Sequence, residues 1–223
     1  MGCRASLFSL AAAVTSLQAV SAAAVDPRDA PALIRWEGPV FAGERDKTLY
    51  VTDVGDLWNK VLDMNPQWVA EVADLDETNH EFGVPSVCGA DSGIATGNSD
   101  EVTHILTRLR ALKGYWTLGA GRCHRLGCGQ NTGVYWCNDN AWGIRTSAKA
   151  LYLRGSHIRD ICCHRRDGSL YSGDPMSGVE AFPDNDPEAA HSRVAVGYGS
   201  CVDNNAVLPL VYTFPGKLGA CRA

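Results

Sequence analysis

The segment 121–140, GRCHRLGCGQNTGVYWCNDN, holds the densest set of reactive groups in the chain: Cys123, His124, Cys128 and Cys137. Three chemistries suit thiols and imidazoles at this spacing. Zinc would take ligands from the three cysteines, as thiolates, with His124 and His164. The four residues between Cys123 and Cys128 are a loose match to the short spacing of structural zinc sites. A dithiol redox centre needs Cys-x-x-Cys, which the chain lacks. The third chemistry is a disulfide staple. The compartment decides among them.

Arg4 precedes an Ala-rich apolar stretch, Ala5–Ala24, interrupted by Ser, Thr and Gln and ending Ala22-Ala23-Ala24. A short charged start, an apolar middle and an A-x-A end are the marks of a secretory signal peptide over residues 1–24, with the mature chain starting near Val25. Nothing else approaches the ~20 apolar residues of a membrane span. The expected location is therefore extracellular. Of nine cysteines, Cys3 leaves with the leader. Cys88, Cys123, Cys128, Cys137, Cys162, Cys163, Cys201 and Cys221 remain, and an even number in an oxidising compartment reads as four disulfides. Eight cysteines allow 105 pairings, and spacing alone does not choose among them. Adjacent Cys162 and Cys163 are expected to reach different partners. The staple is the favoured reading of 121–140, and no metal or cofactor is expected.

Acid–base chemistry has fewer supports. The six histidines are His80, His104, His124, His157, His164 and His191. Asp160 beside His124 or His164 would imitate an acid/base pair. Asp139 with Asp160, or Glu71 with Asp74, would imitate glycosidase carboxylates. A chain with 25 acidic residues offers such pairs by chance. No G-x-S-x-G nucleophile elbow is present. The expectation is a protein without catalytic residues.

Binding has better support. Tyr115, Trp116, Tyr135, Trp136 and Trp142 cluster around the cysteine-rich stretch, and Asn138-Asp139-Asn140 follows as a polar turn. Strand alternation puts Tyr135 and Trp136 on opposite faces, one in the core and one outward. An outward Trp beside amides and a carboxylate stacks on a sugar ring or anchors a protein. The alternative is a turn that bonds its own backbone, with the tryptophans in the core. The candidate binding residues are Trp136, Asn138, Asp139, Asn140 and Trp142. The net charge of −5, about −6 once Arg4 is lost, disfavours nucleic acid and anionic membranes as partners. The expected partner is a protein or glycan of a host or competitor, and the expected state is a monomer.

The elements that must position these residues are readable in outline. Residues 25–45, with Pro27, Pro31 and Pro39, read as an extended N-terminal segment, and 46–223 as one cysteine-rich domain. Residues 48–51 suggest a short strand. Thr52 or Asp53 caps a helix over VGDLWNKVLDM, with Val54, Leu57, Trp58, Val61 and Leu62 on one face, stopped by Asn65-Pro66. Asn98 or Ser99 caps a second helix carrying Val102, Ile105, Leu106, Leu109 and Leu112, with Glu101 placed as in a capping box. Residues 122–126 and 132–137 form a hairpin through Gly129-Gln130-Asn131. Thr146 or Ser147 starts a third helix over AKALYLRGSHIRDICC, where Gly155 allows close packing on the sheet. Residues 165–190 read as a Gly/Pro/Asp loop containing the dibasic pair Arg165-Arg166, and 194–198 and 209–214 read as strands. Hairpins without β-α-β alternation point to an α+β fold: a two-layer sandwich of helices on a small antiparallel sheet, stapled by disulfides.

The opening WEGPVFAGE…LYVTDVGDLWNKVLDMNP, the C-x4-C-x8-C stretch ending YWCNDN, and the strand VAVGYGSC resemble a group of small secreted cysteine-rich proteins of filamentous ascomycete fungi. The resemblance covers about residues 35–201. It implies a candidate effector, acting outside the cell in virulence. More distantly, the order cysteine–helix–hairpin–helix–cysteine–strand–cysteine is similar to fungal killer toxins and necrosis-inducing effectors. That likeness implies a two-layer sandwich with disulfides from helices to sheet, and a channel inhibitor as one alternative function. A cell-wall glycan-binding or glycan-cleaving protein is the other. Cys163 and Cys221 depart from the group's pattern, which implies that they pair with each other.

Overall fold

The computed structural model describes residues 33–69, 86–89, 94–163 and 175–201, with Cys163 and Pro175 by backbone alone. In chain order the elements are β1 (Ile34–Gly38), β2 (Lys47–Val51), α1 (Val54–Met64), β3 (Val87–Cys88), β4 (Gly97–Asn98), α2 (Ser99–Ala111) and β5 (Tyr115–Leu118). They continue with β6 (Cys123–Gly129), β7 (Thr132–Asn138), β8 (Ile144–Ser147), α3 (Ala148–Cys163), β9 (Pro175–Met176), β10 (Gly178–Ala181) and β11 (Ser192–Tyr198). The fold is α+β, and the three helices of the described residues pack on antiparallel sheets. The strands divide among a four-stranded sheet β2-β1-β5-β8, a five-stranded sheet β3-β10-β11-β7-β6 and the pair β4-β9.

The helices start where side chains satisfy their first N–H groups. At α1, Asp53 is extended and its carboxylate accepts from Asp56 N at 2.9 Å. Val54, Leu57 and Val61 are buried, and Asn65 closes the helix by donating to Val61 O. At α2, Asn98 Oδ1 accepts from Asp100 N at 2.8 Å and Glu101 N at 3.4 Å. The expected reciprocal bond from Glu101 is absent, because Asn98 N donates instead to Thr132 Oγ1 at 2.7 Å. At α3, Ser147 Oγ accepts from Ala150 N at 3.1 Å.

Helices α2 and α3 lie on the five-stranded sheet, and α1 packs on α2 and β2. Ile34 and Trp36 from β1, Trp116 from β5 and Ile144 from β8 join Leu106, Leu109, Leu126, Trp136 and Leu151 in one core. Gly155 serves the helix pair rather than the sheet: a Cβ there would come within 2.5 Å of Leu106 Cδ2 on α2.

The extended segment expected over 25–45 is, from Ile34 to Gly38, an inner strand paired with both β2 and β5. Trp36 faces the core while Arg35 and Glu37 face out. The loop expected over 165–190 contains β10, which pairs with β11 and β3. The hairpin β6–β7 turns through Gln130 and Asn131 alone, at φ 45° and 58°. Positive φ at both residues marks a type I′ turn, whose twist suits two antiparallel strands. A bulge between Arg125 and Gly127 shifts the register within β6.

Three disulfides lie among the described residues. Cys123–Cys137 joins directly opposed residues of β6 and β7. Cys128–Cys201 ties β6 to the chain after β11, and Cys88–Cys162 ties β3 to α3. All three cysteines of 121–140 are thus oxidised, which removes the thiolates a zinc site would use. The leader, residues 209–214, Arg165-Arg166, Cys221 and the Cys163 side chain lie outside the described residues, and with them the Cys163–Cys221 pair.

Candidate functional site

The candidate residues divide into a buried clamp and an exposed wall. Tyr135 and Trp136 are both buried, which corrects the expectation that one of them faces out. The reason is that β7 is covered on both faces. Trp136 enters the main core and donates its indole N–H to Ser192 Oγ at 3.2 Å. Tyr135 packs with Ile94 and Ala195 on the other face, and burial raises its hydroxyl pKa. Trp136 is therefore no binding platform.

Asn138 and Asn140 are only 1 % and 5 % exposed, so neither offers its amide to a ligand. Asn138 Nδ2 donates to Leu118 O at 3.3 Å, Gly119 O at 3.0 Å and Trp142 O at 2.7 Å. Its Oδ1 accepts from Asn140 N and Asn140 Nδ2, both at 2.9 Å. Asn140 Nδ2 also donates to Ala190 O at 2.8 Å. Every donor and acceptor of the Asn138 amide is engaged. The NDN turn is a clamp joining the ends of β5 and β7, the loop 139–143 and the loop before β11. Asp139 alone points out, pairing with Arg193 at 2.6 Å on the surface.

Trp142 is 62 % exposed although its backbone is tied down by Asn138. Its ring lines a cleft of about 340 Å³ with Gly143, Ile144, Arg145, Pro187 and Glu188. The Pro187–Glu188 part of the lining is also fixed, since Asp186 Oδ1 accepts from Glu188 N at 3.0 Å and Ala189 N at 2.8 Å. Arg145 lies over the Tyr115 ring at 4.0 Å and pairs with Glu37 at 3.5 Å. Arg145, Pro187 and Glu188 carried no signal in sequence, because nothing local links β8 to a loop some 40 residues later. A larger cleft of about 510 Å³ beside Phe41 and Trp68 is mainly apolar, with Glu44 and Lys113 its charged lining.

Among the described residues, neither Asp160 with His124 nor Asp139 with Asp160 forms a pair. His124 is buried, donates Nε2–H to Thr52 O at 2.9 Å, and has its pKa lowered by desolvation. Asp160 pairs with Arg159 at 2.7 Å. Glu71, Asp74, His80 and His164 lie outside the described residues. One cluster was not foreseen: buried Glu180 on β10 meets Arg154 at 2.7 Å, His157 Nδ1 at 2.5 Å and Ser86 Oγ at 2.6 Å. A serine–histidine–acid relay needs the serine and the acid on opposite ring nitrogens. Here Ser86 Oγ lies 3.3 Å from the same Nδ1 that faces Glu180. The cluster pins the residue before β3, the helix α3 and the strand β10 together. Arg154 and His157, three apart on α3, share a helix face, but the inward position of Glu180 in the short strand GVEA is invisible in sequence.

Among the described residues no group of three His, Cys, Asp or Glu side chains is placed to hold a metal ion, and no helix is long and apolar enough to cross a membrane. Comparison with protein-family models, with curated proteins and with solved structures returns no match to this chain.

Proposed function

We propose that this is a secreted, effector-like protein that acts outside the cell by binding a molecule of a host or competitor at the Trp142 cleft. The observation that carries the reading is the exposed indole of Trp142 on a backbone held by a buried amide. Exposed large aromatics on rigid supports lose little entropy on binding and dominate recognition energies. The leader-like residues 1–24 and the three disulfides support an oxidising, extracellular setting.

The test compares wild type and Trp142→Ala, produced through a secretory host, for retention on intact fungal and plant cells. The expected outcome is a protein in the medium that begins near Val25, retained by one cell type, with retention about tenfold lower for the variant. Protein kept inside the cell with residues 1–24 attached, or equal retention of the two forms, would contradict the proposal.

A further inference from the structure

Resting on that reading of the cleft, we infer that its ligand is a saccharide, with one sugar ring stacked on Trp142. The cleft joins the three groups such a ligand needs. A sugar ring presents an apolar face of C–H groups, which the electron-rich face of an indole attracts. Its hydroxyls each need a donor and an acceptor once they leave water. Glu188 is an exposed acceptor on one wall, and Arg145 is a donor on the floor strand β8. The volume of about 340 Å³ lies at the low end of small-ligand sites, ~300–1,000 Å³. The open form suits a ring within a longer chain better than an enclosed metabolite.

The support beneath the cleft argues in the same direction. Asn138 holds the backbone of Trp142 from below. Asp186 holds the turn that carries Glu188. Asn140 ties the two sides together, bonding Asn138 at one end and Ala190 O at the other. A site whose walls are each held by buried or turn-forming bonds binds without ordering its own backbone, which favours weakly interacting, hydroxyl-rich ligands. Glu188 favours a neutral sugar over a uronate or a sulfated chain, since an anionic ligand would meet its carboxylate while the Arg145 charge is already paired with Glu37.

The experiment is sedimentation of the disulfide-bonded protein with chitin, β-1,3-glucan, cellulose, xylan and mannan. It is run for wild type, Trp142→Ala, Trp142→Tyr and Glu188→Gln, each checked for an unchanged melting temperature. The inference expects retention on at least one polymer, loss of about tenfold for Trp142→Ala, partial recovery with Trp142→Tyr because a ring is kept, and a severalfold loss for Glu188→Gln. No retention on any polymer, or equal retention of Trp142→Ala, overturns it. A cell-binding activity that depends on Trp142, survives periodate oxidation of the cells and is abolished by protease also overturns the saccharide, while leaving the binding function in place.

Discussion

Asn138 Nδ2 lies 2.7 Å from the carbonyl oxygen of Trp142, so the most deeply buried amide of the NDN turn holds the backbone of the most exposed tryptophan. The pair explains why a polar triplet follows the last cysteine of the hairpin. Its amides are internal fasteners, and the residue they fasten is the one that meets solvent.

Replacing Asn138 by Ala removes the donor shared by Leu118 O, Gly119 O and Trp142 O and the acceptor for Asn140. Each buried group left unsatisfied costs about 1–3 kcal/mol, so we expect a loss of roughly 3 kcal/mol in urea unfolding. Asp139→Ala, which breaks only a surface pair with Arg193, should cost less than about 1 kcal/mol. Equal losses would remove the clamp from the account.

Stability should fall in mild acid because of His124. Burial holds its folded pKa below the ordinary 6.5. The unfolded chain therefore takes up a proton first as pH drops, and the stability present above pH 6.5 declines below it until the folded pKa is reached. Denaturation midpoints between pH 8 and 5 should fall for wild type and flatten for His124→Gln across that window. At Asp56 burial raises the pKa, but the Thr52 N–H and Lys60 together outweigh it and hold it below 3.8, so its contribution is lost only below that value.

How far this was visible in advance depends on the element. Helix α1 was readable from Val54, Leu57 and Val61 at helical spacing, and its cap from Asp53. The strands IRWEG, YWTL, IRTS and GVEA were not, since each is short and carries charged, polar or glycine positions that blur the alternation. At the NDN turn, burial differs from what local pattern suggests. Alternation wrongly sent one of Tyr135 and Trp136 outward, because β7 has cover on both faces. Asn138 and Asn140 looked like a surface turn because the loop that buries them, around Ala190, lies 50 residues away.

Gly155→Ala should destabilise, although alanine favours helix by about 1 kcal/mol. The new methyl would come within 2.5 Å of Leu106 Cδ2, and Leu106 is wholly buried, so its side chain would have to shift within the packed core. Overpacking of this kind costs roughly 1–3 kcal/mol. Adding Leu106→Ala should make the glycine substitution neutral or favourable, and a double-mutant cycle measures the coupling.

The disulfides should rank by the loop each closes. Cys88–Cys162 spans 74 residues and Cys128–Cys201 spans 73, against 14 for Cys123–Cys137. Loop entropy gives about 4 kcal/mol for each long closure and about 3 kcal/mol for the short one. Paired Cys→Ala variants compared by urea unfolding should follow that order, and a larger loss at Cys123–Cys137 would contradict it.

The central claim is that the exposed Trp142 stacks on a sugar ring. Its most direct test is the set of indole N–H resonances during titration with the hexasaccharide of the polymer that retains the protein best. The account predicts that the Trp142 resonance shifts saturably while those of buried Trp36, Trp116 and Trp136 stay fixed. A titration in which the Trp142 resonance does not move would contradict it.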